Sequence, residues 1–269
     1  MRSEQSFATA RQSRKTAALR LRGVVIFMLV AGAPAYALVP PVSAQTSTVA
    51  RTSDGHPNLE GIWQAVNTAA WDVQDHSGKF GVPAGQGIVE GNEIPYQPWA
   101  LAQKKTNYEK RASLDPEAKC QMPGVPRITY LPYPFQIFQS GEYIAIVYEY
   151  IHINRIIHLD GSAHPDPELI EFWMGDSRGH WEGNTLVVDV TNFTDKTWFD
   201  RAGNFHSANL HVIERYTPTG PDHLQYEATI EDPKVFTRPW KISFPLYRRQ
   251  DKNVQLLEYE CYAYAEEQQ

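Results

Sequence analysis

From Gly141 onward the side chains alternate with period two, and this pattern constrains the fold more than any other feature of the chain. Ile144, Ile146, Tyr148 and Tyr150 interleave with Tyr143, Ala145, Val147 and Glu149. Ile153, Arg155, Ile157 and Leu159 follow, up to the turn signal Asp160-Gly161. Thr185 to Val190, Leu210 to Tyr216, Leu224 to Ile230, Trp240 to Tyr247 and Val254 to Tyr262 continue the series, each bounded by Gly, Pro, Asn or Asp. Such a run of short strands with polar turns predicts a mostly β fold, an antiparallel β-barrel or a closely related sandwich. The barrel is favoured because closure leaves no unpaired sheet edge.

Upstream, Asp72 to Pro98 is rich in Gly, Pro and Asn and reads as irregular. Pro98 opens a helix through Ala112, since proline is tolerated where the N–H has no helical partner. Trp99, Ala102 and Tyr108 fall on or near one face of that helix. Pro123, Pro126, Pro132 and Pro134 keep Cys120 to Pro134 extended or turning. The expected organisation is a flexible leader over 45–57 and a single β-rich domain over 58–265. Within it, 58–140 forms an irregular wrap plus one helix, and 141–265 the main antiparallel sheet.

Residues 1–44 have the layout of a secretory signal peptide. A basic stretch ends at Arg22, an apolar run covers Gly23 to Val30, and Ala35-Tyr36-Ala37 and Val42-Ser43-Ala44 offer small-x-small cleavage patterns. The expected location is periplasmic or secreted, with no membrane attachment after cleavage. The two cysteines, Cys120 and Cys261, both follow the signal, and an even count in an exported chain suggests one disulfide. Net charge is -6, and the signal holds six of the basic residues and one acid, so the rest is more acidic still. That balance argues against nucleic acid or an anionic membrane as partner. The expected partner is a small-molecule ligand or substrate; no cofactor and no oligomeric state is read from the sequence.

Two resemblances enter here. Gly61-Ile62-Trp63 is similar to the Gly-x-Trp that opens the first strand of lipocalin-like barrels, which implies a lipocalin-like barrel. The segment from Cys120 to Cys261 resembles a large set of uncharacterised exported bacterial proteins. That resemblance is carried by Cys120-Gln121-Met122-Pro123-Gly124-Val125-Pro126-Arg127, by Gly175 to Val188, and by Asp232-Pro233 with Arg238-Pro239-Trp240. It implies no activity.

Three features carry chemistry. Gly175-Asp176-Ser177-Arg178-Gly179 matches the Gly-x-Ser-x-Gly pattern of a nucleophile elbow. An elbow needs a helix after the serine, whereas a hairpin turning at Glu182-Gly183-Asn184 follows here, so Ser177 is expected to be a turn serine and not a nucleophile. Histidines concentrate between residues 152 and 211, interleaved with Asp160, Asp166, Asp176, Asp200 and Glu214. His158, Asp160 and His164 are the closest-spaced set for a metal. Finally, Glu149, Arg155 and Glu214 lie on strand faces that also carry apolar residues, and a charge there must pair or line a wet cavity.

Aromatics gather on either side of these charges: Tyr130, Tyr133, Phe135, Phe138, Tyr143 and Tyr148 before and within the first clear strand, and Trp173, Trp181, Trp198 and Phe199 around the histidine-rich segment. The resulting expectation is an acid–base enzyme of lyase, isomerase or hydratase type. Glu149, His158, Asp160, Asp200 and His206 would move protons around one cavity, with Arg155, Trp198 and Arg201 holding the ligand. A non-catalytic binder of an apolar or aromatic ligand is the competing reading, and a serine hydrolase using Ser177 a third.

Overall fold

The computed structural model describes residues 48–262, Phe80 excepted, all within one compact unit, Thr46–Gln269. The expected signal peptide lies outside the described residues. Nine strands form a closed barrel: β1 (Gly61–Ala65), β2 (Phe135–Gln139), β3 (Tyr143–Tyr148), β4 (Asn154–His158), β5 (Asp176–Glu182), β6 (Thr185–Thr191), β7 (His211–Gly220), β8 (His223–Glu231) and β9 (Trp240–Arg248). Each strand pairs with its neighbour in sequence, and β9 closes on β1. All pairs are antiparallel except β4–β5. A ring of nine sequential strands cannot alternate direction throughout, so one pair must run parallel. The segment 159–175 carries the chain back along the barrel to make that pair.

Alternation builds the interior. In β3, Ile144, Ile146 and Tyr148 are buried while Tyr143 is exposed; in β8, Leu224, Tyr226, Ala228 and Ile230 are buried between half-exposed residues. Trp63 of β1 is fully buried, and its ring N–H donates to the Leu59 carbonyl at 2.8 Å. Burying a large side chain of this kind stabilises the fold by about 1.5–3 kcal/mol.

The topology sends the chain to one end of the barrel after β1, β3, β6 and β8, and most of the non-strand chain caps that end. The cap is the wrap 66–97, helix α1 (Pro98–Glu109), α2 (Arg111–Leu114), α3 (Arg127–Tyr130), and the loops 192–210 and 232–239. Tyr130 seals it to the barrel, its hydroxyl donating to the Phe199 carbonyl at 2.6 Å and its ring edge-on to Phe244.

Several expectations need correction. The helix from Pro98 ends at Glu109, because Lys110 leaves helical geometry before α2 begins. Its inward residues are Ala100 and Asn107; Trp99 is 55 % exposed and Tyr108 36 %. Asn107 is drawn in by a polar contact, its amide donating to the Gly203 carbonyl at 3.2 Å, and α1 passes so close that a Cβ at Gly203 would meet the Tyr108 nitrogen at 2.7 Å. Val254 to Tyr262 is not a strand; it carries a single parallel bridge, Tyr150 to Tyr259. The serine of Gly175-Asp176-Ser177-Arg178-Gly179 lies inside β5 and not in a turn. Within 45–57, Arg51 bridges to Pro57 and His56 stacks on Trp181 at 4.8 Å.

Cys120 and Cys261 form a disulfide with Cα atoms 5.5 Å apart, 141 residues apart in sequence. Among the described residues no helix is long and apolar enough to cross a membrane.

Candidate functional site

The expected site residues separate into three places. Arg155 points into the barrel, where Nη1 meets Glu214 Oε1 at 3.1 Å, Nη2 bonds Glu214 Oε2, and Nε donates to Ser177 Oγ at 2.9 Å. Tyr216 and Tyr226 donate their hydroxyls to Glu214 Oε1 at 3.1 and 2.9 Å. Burial works against the Arg155 charge, and Glu214 outweighs it, raising the guanidinium pKa. Of the three strand-face charges, Arg155 and Glu214 thus pair with each other and Glu149 does not join them, while Arg215 reaches Glu182 on the outer face at 2.8 Å. Ser177 is 2 % exposed and accepts from Arg155, with neither an elbow nor a histidine partner.

The second place is the outer wall. His158 is three positions from Arg155 on β4, so the two project to opposite faces. Glu149 follows the outer parity of Tyr143, Ala145 and Val147, and accepts from the Leu257 N–H at 2.8 Å. Asp160 accepts from the N–H and hydroxyl of Ser162. His164 bridges Asp176 and Asp189 at 2.7 and 2.9 Å, and Asp189 also meets His211 at 2.9 Å. His158, Asp160 and His164 thus do not gather as ligands, and among the described residues no group of three or more His, Cys, Asp or Glu is arranged to hold a metal ion.

The third place is the cap. His206 donates from Nδ1 to its neighbour's carbonyl at 2.9 Å and accepts the Thr197 hydroxyl at Nε2, 2.6 Å away. Burial lowers its pKa, and both ring nitrogens are hydrogen-bonded. Asp200 receives N–H bonds from Val73, Ala202 and Asn204. Burial and the charge of Asp72 push its pKa up to about 7. Trp198 is 8 % exposed and bridges to Phe205. The expected single cavity around Glu149, Arg155, His158, Asp200 and His206 does not form, because Arg155 lies in the interior, Glu149 and His158 on the outer wall, and Asp200 and His206 in the cap.

A different concavity presents itself: a cleft of about 610 Å³ at the capped end. One side is a tongue built from 76–79 and 81–85, pinned by bridges from His76 to Gly85 and from Lys79 to Val82. The other is the end of α1 with α2 and the turn to Cys120, contributing Tyr108, Arg111, Asp115 and Glu117. The barrel end supplies Tyr133 and Tyr150, the loop 192–210 supplies Arg201, and the C-terminal segment supplies Tyr259. Tyr133, Tyr150 and Tyr259 form one aromatic wall, with ring centroids 4.5–5.6 Å apart. The disulfide fixes Cys261, two residues after Tyr259, to the end of the opposite wall.

The floor is a four-charge network. Arg127 is fully buried and forks onto Asp115 at 2.8 and 3.1 Å, with a further bond to Glu117. Arg201 grips the other side of Glu117 through Nε and Nη2, and its guanidinium lies 4.2 Å over the Trp71 ring. Burial raises the Glu117 pKa, but the charges and bonds of the two arginines prevail and hold it below the carboxylate norm. On the walls, His76 Nδ1 donates to the Gln74 carbonyl at 2.9 Å, while its Nε2 is buried without a hydrogen-bond partner among the described residues. The Tyr150 hydroxyl is likewise buried without a hydrogen-bond partner.

Of the eight residues expected to carry function, Arg201 lines this cleft. Trp71, His76, Lys79, Arg111 and Glu117 were missed. They lie in segments without strand or helix periodicity, or on a helix with almost no apolar face, and only folding brings them together. Tyr133 belongs to an aromatic run legible in the sequence. Comparison with protein-family models and with curated proteins gives no match for this chain.

Proposed function

We propose that the protein binds a small organic molecule in the cleft at the capped end, holding an apolar or aromatic part against Trp71, Tyr108 and the Tyr133–Tyr150–Tyr259 wall. The observation that carries this reading is an open, aromatic-lined concavity built over a fully bonded charged floor, in a barrel whose own interior is filled by side chains. Its volume lies within the range of ligand sites, and such sites combine apolar walls with a few fixed polar groups. The separated acids and bases support a binder over an acid–base enzyme, since proton transfer requires them within hydrogen-bond reach of one substrate.

Trp71 reports on the site. Titration with 2-naphthol should change the tryptophan emission saturably, and Trp71→Phe should remove that component. Ala118 lies exposed on the lining, so Ala118→Phe should fill the cleft and abolish binding with the melting temperature unchanged. Equal binding by wild type and Ala118→Phe would place the ligand elsewhere and reject the proposal.

A further inference from the structure

The cleft holds cations with donors to spare. Lys79 Nζ lies 5.7 Å and Arg111 Cζ 4.3 Å from the centroid of the Tyr108 ring, so two positive charges sit beside one aromatic ring that lines the cleft. Neither has an ion-pair partner among the described residues. Arg111 spends Nη1 on the Tyr108 carbonyl at 2.8 Å and keeps its other N–H groups. Arg201 spends Nε and Nη2 on Glu117 and keeps Nη1. Asp115 and Glu117 are ion-paired with the arginines, whereas Asp72 accepts the Gln74 N–H at 3.0 Å and has no cationic partner among the described residues. Glu109 has neither a hydrogen-bond nor an ion-pair partner for its carboxylate among the described residues. Two cations without ion-pair partners beside one ring each offer an incoming anion a favourable contact. Such a pair stands out in a chain of net charge -6.

We propose that the ligand of this cleft is an organic anion, an apolar or aromatic body bearing a carboxylate. The carboxylate meets Lys79, Arg111 and the free Nη1 of Arg201, and the body lies along the aromatic wall. This rests on the cleft being the binding site. A planar guanidinium suits a carboxylate in two-point contact, and Lys79 adds a mobile charge at the rim.

The test is a matched pair of probes, 1-naphthoate and the neutral, similarly shaped 1-naphthamide, titrated calorimetrically into the disulfide-intact protein. The acid should bind about tenfold or more tighter, as charge-assisted hydrogen bonds imply. That margin should collapse in 1 M NaCl, where the screening length falls to about 3 Å. Lys79 and Arg111 are exposed, so Lys79→Met/Arg111→Met should fold normally and lose the preference for the acid over the amide. Glu109→Gln should tighten the acid and leave the amide unchanged. Equal affinities in wild type, or a margin that survives the double substitution, would overturn the anion proposal while the cleft reading stands. Failure of both probes together with 2-naphthol would overturn both.

Discussion

Arg155 and Glu214 face each other inside the barrel, Nη1 to Oε1 at 3.1 Å, with both side chains at most 2 % exposed. They come from β4 and β7, which are not neighbours in the sheet, so the pair spans the interior. Ser177 adds a hydrogen bond to Arg155, and Tyr216 and Tyr226 add one each to Glu214. Removing one member leaves the other charged and sealed from water.

Glu214→Gln should therefore destabilise the protein by about 3–5 kcal/mol, as breaking a buried pair does. Arg155→Met/Glu214→Leu should recover most of that loss, because no orphan charge remains. Urea unfolding of the three variants decides the matter. A double variant less stable than Glu214→Gln would show that the pair itself, and not the orphan charge, carries the energy.

The same pair marks the limit of what was legible in the sequence. Ile153, Arg155 and Ile157 are buried, as are Leu210, Val212 and Glu214, so the inward parity of both charges was readable from their apolar neighbours. Which charge meets which depends on the path across a closed barrel, and no local pattern encodes it. β3 is apolar on both faces, with Ile144 and Ile146 inside and Ala145 and Val147 outside, so Glu149 carried no signal of its side. The closed barrel itself was expected from the alternation. The cleft was not, because its walls come from irregular segments joined by the cap and the disulfide.

The disulfide closes a loop over a sequence separation of 141 and ties the C-terminal segment to the cap. In the chain-entropy model a crosslink of that span stabilises by roughly 5 kcal/mol. Cys120→Ala/Cys261→Ala should lose most of this in urea unfolding. Freeing Cys261 also loosens Tyr259 from Tyr133, so naphthoate binding should weaken in the double variant. Unchanged affinity would show that Tyr259 is held by its ring contacts alone.

Asp200 gives the cap a pH response. Burial and Asp72 raise its folded pKa from 3.8 to about 7, against the Val73 N–H and Asn204. A carboxyl raised on folding contributes stability at low pH that is lost as pH climbs from the unfolded value through the folded one. The stability of wild type relative to Asp200→Asn should fall between pH 4 and pH 7, by up to about 4 kcal/mol for a shift of this size. A difference constant across that window would mean that the N–H donors keep Asp200 ionised throughout.

The chain Asp176–His164–Asp189–His211 on the outer wall also responds to pH. Hydrogen bonding to Asp189 raises the His211 pKa above 6.5, with burial opposing and Glu231 at 3.4 Å assisting. Hydrogen bonding to His211 in turn lowers the Asp189 pKa. The histidine contribution is full below pH 6.5 and disappears as pH rises through the raised folded value; the aspartate contribution is full above 3.8 and disappears as pH falls through the lowered one. The pair is therefore strongest between those limits. Asp189 is 41 % exposed, so solvent screening confines the effect to the ~0–1 kcal/mol of surface pairs. NMR titration of His211 should show a midpoint above 6.5 in wild type that drops toward 6.5 in Asp189→Asn. A midpoint unmoved by that substitution would assign the shift to Glu231 instead.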